Sequence, residues 1–257
     1  MAKKDYGNTT RALAYIEAMW AKNHIHLAQE PCGSRSGVAS FVSPEGVDSL
    51  FPPLNIAMVG DSMSVGCGVS RQEDGLVPDI ARELSSYMER DVRWQTFGKL
   101  GATMRRVRFR LMTDVHDALE KRPFDSFDIL YICAGSNDLM AQRSVIEFTE
   151  DLKEVLDMAL PLSQKVIVLS PGQLYKSPSL GPHLRRILFY RSEKITEAST
   201  HLCTSMEVQY INMTHEDVGT NNAGFYASDN FHPSAYGYSV MAQRIAQMTM
   251  TQHNATK

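Results

Sequence analysis

At 257 residues, with 43% hydrophobic and 21% charged side chains, the chain has enough apolar material for one sizeable core and excludes a disordered or collagen-like class. A formal net charge of −3 with no extended run of one sign excludes a nucleic-acid surface, and no apolar run reaches the ~18 residues of a membrane span. The start, Met1 to Asn8, is basic but lacks the apolar stretch of a secretory signal, so a cytoplasmic location is expected.

The first 50 residues read as an amino-terminal extension on a catalytic domain spanning 51–257. A helix is expected over Thr10 to Ala28, and Glu30 to Glu45, rich in Gly, Ser and Pro, reads as a linking segment. Strands follow at Ile56 to Val59, Val92 to Phe97, Phe127 to Cys133, Val166 to Leu169 and Val208 to Met213. The first, third and fourth of these are nearly continuous apolar runs, as parallel strands covered on both faces require. Helical stripes fill the gaps: Val77 to Met88, Met104 to Ala118, Phe148 to Ala159, Ile187 to Leu202 and Ser234 to Met248. Strands alternating with helices predict a three-layer α/β/α sandwich around a mostly parallel five-stranded sheet, with sites beyond the carboxyl ends of the strands.

The small-residue turn Gly60-Asp61-Ser62-Met63-Ser64-Val65-Gly66 follows the first strand. A serine there can stand clear of the sheet, but an ordinary hydroxyl is a poor nucleophile without a base and a group that holds the base. Asp229-Asn230-Phe231-His232-Pro233, ahead of the last helix, offers both. His232 can take the Ser62 proton and pass it to a leaving group while Asp229 orients the imidazole and stabilises its cation. The negative charge built in acyl transfer needs fixed donors. The Ser62 N–H, the N–H of Gly101 and the Asn137 amide are the candidates for this oxyanion hole, with Gly98 the rival of Gly101.

These blocks, Gly-Asp-Ser at Ser62, glycine at Gly101, Gly-Ser-Asn-Asp at Asn137 and Asp-x-x-His at His232, occur in the order of the SGNH, or GDSL, hydrolase family, which the chain resembles. The resemblance implies a flavodoxin-like sheet of strand order 2-1-3-4-5 and metal-free, cofactor-free esterase, lipase or thioesterase chemistry on a small-molecule ester. Two departures stand out: Met63 and Ser64 replace leucine and a small residue after the nucleophile, and the glycine block reads Leu100-Gly101-Ala102-Thr103.

The loops 172–182 and 214–228 follow the fourth and fifth strands and edge the expected site. Tyr175, Leu180, Phe225 and Tyr226 on them, with Asp61 and Met63 beside the nucleophile, are the expected substrate contacts. The remaining chemistry-bearing residues read as structural. His24 and His26 lack companions at ligand spacing, and the widely separated Cys32, Cys67, Cys133 and Cys203 read as reduced thiols. Arg105, Arg106, Arg108 and Arg110 read as a solvated helix face.

Hydrolysis of a short- or medium-chain carboxylic ester through acyl-Ser62 is the expected reaction. A thioesterase, a sugar O-deacetylase and an acyltransferase share the same chemistry, and a non-catalytic binding module shares the fold. A nucleotide or flavin site lacks its phosphate-loop signature, and an α/β-hydrolase elbow requires glycine where Ser64 stands. Oligomeric state has no sequence signature in this chain.

Overall fold

The computed structural model describes residues 7–42, 49, 51–122 and 124–253. Met1 to Tyr6 and residues 43–48 and 50 of the amino-terminal segment lie outside that set. Among the described residues the sheet has six strands: β1 (Ser36–Ala39), β2 (Leu54–Gly60), β3 (Val92–Gly98), β4 (Phe127–Cys133), β5 (Ser163–Leu169) and β6 (Gln209–Ile211), in the order β1-β3-β2-β4-β5-β6. The last five in chain order are mutually parallel, with the 2-1-3-4-5 order that the resemblance implies. The chain leaves β2 for β3 on one side and then crosses to β4 on the other, so the carboxyl end of β2 is a topological switch point, where doubly wound sheets bind ligands.

The sixth strand corrects the five-stranded expectation. β1 pairs antiparallel with β3, Ser36 opposite Gln95 and Ala39 opposite Val92, and it comes from the segment that reads as a linker. Its four residues, Ser-Gly-Val-Ala, carry no strand pattern. They are recruited because the edge of β3 offers unpaired backbone groups, and Gly37 lets the chain lie against the Trp94 ring, 2.8 Å from where a Cβ would stand.

Both sheet faces are covered. Along β2, Ala57 and Val59 join the core beneath α3 (104–120), α5 (Val145–Ala159) and α6 (Pro182–Ser205), whereas Ile56 and Met58 pack on the other face against α2 (Leu76–Met88) and α7 (Ala235–His253). Because both faces of β2 are covered, its run 56–59 shows no polar alternation. α2 buries Leu76, Val77, Ile80, Ala81 and Leu84 on one stripe, and α5 opens with a capping box between Ser144 and Glu147. The 104–120 helix contains a π turn, Val107–Leu111, at the centre of the arginine cluster. A short α4 (Ser136–Met140) follows β4. The amino-terminal helix α1 (Asn8–His24) ends four residues before its expected limit and packs Ala14 and Ala21 into the core that α6 covers. Its Glu17 carboxylate accepts the Leu184 N–H at 2.7 Å, which satisfies an orphan donor in the first turn of α6.

Candidate active site

The turn after β2 is shaped by close approach. A Cβ on Gly60 would lie 1.8 Å from the Cys133 carbonyl oxygen, and one on Gly98 would lie 2.8 Å from the Val65 side chain. Within the turn, the Asp61 carboxylate accepts the Met63 N–H at 3.0 Å and the Ser62 carbonyl accepts the Cys67 N–H at 3.0 Å. These contacts point Ser62 away from the strand into a cleft, where it is 8% exposed.

The second turn comes from the far end of the chain. Tyr226 and Pro233 form an antiparallel bridge, the Ala227 N–H donates to the His232 carbonyl at 2.9 Å, and Asn230 adopts a left-handed φ of 52°. The tight loop folds Asp229 back under His232. Gly68, φ 110°, is where the two turns meet, for a Cβ there would stand 2.2 Å from the Pro233 carbonyl oxygen and 3.0 Å from the His232 Cβ.

Ser62 Oγ lies 3.0 Å from His232 Nε2, and His232 Nδ1 lies 2.7 Å from Asp229 Oδ2. An ionised carboxylate only accepts, so Nδ1 carries the proton and Nε2 is left as acceptor for the serine hydroxyl. Burial opposes ionisation of Asp229. The His232 side chain and the backbone N–H groups of Ala28, Phe231 and His232 outweigh it and hold the carboxyl well below the usual carboxylate range. Asp229 therefore stays charged across the pH range in which an imidazole titrates.

Among the described residues, the N–H groups of Ser62 and Gly101 donate to no protein acceptor. Gly101 has φ 78°, and a Cβ there would meet nothing within 4 Å, so this position needs glycine for its backbone conformation. The rival Gly98 is needed for packing instead. Asn137 Nδ2 donates one hydrogen to the Ala102 carbonyl at 2.9 Å, which leaves the second amide hydrogen uncommitted and ties β4's turn to that of β3. Beneath it the fully buried Asp138 accepts from the Met104 N–H and from Arg143, and Arg143 also bridges to Asp151. The sequence block contains Asp138, but its link through Arg143 to Asp151 has no local signature.

A cavity of about 60 Å³ opens beside Ser62 and His232. Met63, Phe225 and Tyr226 line it together with Leu174, Val218 and Phe231. Asp61 and Tyr175, two of the expected substrate contacts, do not. The Asp61 carboxyl is 2% exposed and turned into its own loop; burial, opposed by the Met63 N–H and His232, pushes it up to about 7. The Tyr175 hydroxyl donates to the Thr214 carbonyl, and its ring stacks edge-on against Phe189, so it braces two loops from behind. Leu180 is buried in the core and likewise absent from the lining. All four cysteines are free; burial, with Glu30 and Asp61 nearby, pushes the Cys67 thiol up to about 12. Such a thiol does not compete with Ser62 as nucleophile.

Residues 58–240 match the sequence profile of the GDSL-like Lipase/Acylhydrolase family. The chain belongs to that family. It is an ester-hydrolysing enzyme on a mixed α/β fold with a parallel-dominated sheet. No curated protein matches it in sequence. Solved structures of the same fold include a lipolytic protein of the G-D-S-L family from Veillonella parvula (16% identity, TM-score 0.57, 76% of this chain and 97% of that one). The carbohydrate acetylesterase Est24 from Sinorhizobium meliloti is also similar (18%, 0.56, 77% and 99%), as is the lipase/acylhydrolase from Enterococcus faecalis (20%, 0.54, 76% and 94%). Among the described residues of this GDSL hydrolase, no helix is long and apolar enough to cross a membrane.

Proposed function

We propose that this GDSL hydrolase cleaves carboxylic esters of short acyl chains through a covalent acyl-Ser62 intermediate. The carrying observation is the unbroken chain Ser62 Oγ, His232 Nε2, His232 Nδ1, Asp229 Oδ2, at 3.0 and 2.7 Å, beside two uncommitted backbone N–H groups. His232 removes the hydroxyl proton as Ser62 Oγ bonds to the acyl carbon, and the carbonyl electron pair moves onto oxygen. That oxyanion is met by the N–H groups of Ser62 and Gly101 and the free hydrogen of the Asn137 amide. Collapse breaks the bond to the alcohol oxygen, which leaves with the proton from His232. Water, deprotonated by His232, then attacks the acyl-enzyme; the carboxylic acid is released and Ser62 regains its proton.

The acyl-chain preference rests on the cavity. About 60 Å³ of mainly apolar space accepts a few heavy atoms, and its walls come from the turns after β2 and β4, the loops 172–182 and 214–228, the Phe231–Pro233 turn and Met241 of α7. A Cβ on Gly101 would meet nothing within 4 Å, and we assign the alcohol to this open side. This asymmetry favours a short acyl group on a large alcohol, and a sugar O-acetyl ester, the substrate class in the name of the S. meliloti structure, meets both conditions.

The test is intact-protein mass after fluorophosphonate treatment, together with turnover of p-nitrophenyl esters from acetyl to palmitoyl. One adduct per chain, lost in Ser62→Ala, and kcat/KM falling steadily beyond butyryl are the expected results. An adduct that survives in Ser62→Ala removes Ser62 as nucleophile, and a preference for palmitoyl removes the small-cavity argument.

A further inference from the structure

Ala28 to Arg35 lie amino-terminal to the family match at 58–240, yet they bond to the Asp229 turn, to the turn before Gly101 and to the segment after the Ser62 turn. The Ala28 N–H donates to Asp229 Oδ2 at 2.9 Å, onto the same oxygen that receives His232 Nδ1. Glu30 Oε1 accepts the Leu100 N–H at 2.9 Å, one residue before Gly101, and the Glu30 carboxylate pairs with Lys99 at 3.1 Å and Arg35 at 2.6 Å. Cys32 exchanges backbone hydrogen bonds with Ser70 and Gln72, and Gln72 Nε2 donates to the Val65 carbonyl inside the nucleophile turn. Arg35 closes the run by donating to the Gly98 carbonyl at 3.0 Å and accepting the Thr96 N–H at 2.9 Å.

We propose that residues 28–35 are a catalytic strap, in which Ala28 positions Asp229 and Glu30 positions the Leu100-Gly101 turn, so that the amino-terminal segment is a working part of the active site. The inference rests on the roles given above to Asp229 and Gly101. Asp229 needs two acceptor geometries at once: Oδ1 is taken by the N–H groups of Phe231 and His232 within its own turn, and Oδ2 is shared between His232 and Ala28. Among the described residues, Ala28 gives the Asp229 carboxylate its one hydrogen bond from outside the 229–232 turn. Gly101 has a left-handed φ and open space around it, so its own packing does not hold it. The Glu30 bond to the preceding amide restrains it on one side, as the Asn137 bond to the Ala102 carbonyl does on the other. The strap is anchored upstream by α1, whose Glu17 grips His183 and the Leu184 N–H at the start of α6.

The experiment compares Ala28→Pro, which deletes the donor, with Ala28→Gly, which keeps it, and Glu30→Ala with Glu30→Gln, whose amide oxygen can still accept from Leu100. All are made in the full chain and measured on p-nitrophenyl acetate beside Ser62→Ala. Ala28→Pro is expected to lower kcat on the order of tenfold, the worth of one hydrogen bond to a charged group, with KM unchanged and Ala28→Gly near wild type. In an Asp229→Ala background the same proline should cost nothing, because the group through which it acts is gone. Glu30→Ala should lower kcat, and Glu30→Gln should recover most of it. An equal cost of Ala28→Pro with and without Asp229 overturns the Ala28 arm. Equal loss in both Glu30 variants overturns the Glu30 arm, and that pair decides the matter if the proline variant does not fold. Wild-type kcat in Ala28→Pro and Glu30→Ala, beside an inactive Ser62→Ala, overturns the strap alone; turnover by Ser62→Ala removes the triad and the strap together.

Discussion

The nucleophile turn and the Asp229–His232 turn face each other across 3.0 Å, but they are held by different forces. The first is gripped mainly by shape: a Cβ on Gly60 would overlap the Cys133 carbonyl and one on Gly98 the Val65 side chain, and Gly68 forms its seam with the second turn. The second is held by donated hydrogen bonds from elsewhere in the chain. Ser177 Oγ donates to the Asn230 carbonyl and Ser179 Oγ to the Asp229 carbonyl, each at 2.8 Å, and Ala28 reaches the carboxylate. Steric restraint is all-or-none, whereas hydrogen-bond restraint can be removed one bond at a time. The nucleophile's position should therefore fail abruptly under substitution and the acid's by degrees.

The largest test of that contrast is Asp229→Asn, which keeps the side-chain shape but reverses what His232 Nδ1 must do. A fall in kcat of about 10⁴-fold is expected from the wrong tautomer, with fluorophosphonate labelling of Ser62 slowed in parallel; a loss under tenfold would show that Asp229 does not orient the ring. Gly68→Ala comes next. Its Cβ would press on the Pro233 carbonyl at a left-handed backbone position, and a stability loss of about 3 kcal/mol is expected by urea denaturation. Unchanged stability would mean that the two turns are not in steric register.

Asp61→Asn probes the nucleophile turn by pH. Burial raises the Asp61 carboxyl to about 7 in the folded chain, against ~3.9 when unfolded. The unfolded chain therefore ionises first, and wild-type stability relative to the asparagine variant is full below pH ~4 and lost as pH rises through 7. The variant, which can still accept the Met63 N–H, should melt progressively higher than wild type between pH 4 and pH 8; a constant Tm difference would place Asp61 in solvent. Smallest is Ser177→Ala, which removes one donor from the Asp229 turn and should cost about 1 kcal/mol, read by thermal unfolding, with activity reduced only slightly. A collapse of activity there would make the acid turn as brittle as the nucleophile turn.

Much of this architecture is legible in the chain. Nearly continuous apolar runs at 56–59, 127–133 and 166–169 announce buried parallel strands, and the amphipathic stripes between them announce the crossovers. The four motif blocks name the proposed site residues, Ser62, Gly101, Asn137 and the Asp229/His232 pair, because reactive side chains must be of particular types at particular spacings. Loop aromatics were legible only in part. Phe225 and Tyr226 line the cavity while Tyr175 turns its hydroxyl to Thr214, and nothing in an aromatic's local sequence tells inward from outward.

What the sequence by itself determined was therefore the side-chain chemistry and the repeating pattern of strands and helices, since both depend on residue type and local period. Only the tertiary structure decided β1, the Asp138–Arg143–Asp151 bridge and the bonds from Ala28 and Glu30 to the candidate site. The physical reason is common to these features. β1 and Ala28 act through backbone N–H and C=O groups, and Glu30 and Arg143 are ordinary charges until the fold sets against them partners that stand from 5 to 70 residues away in the chain, so their roles exist only once those segments are brought together.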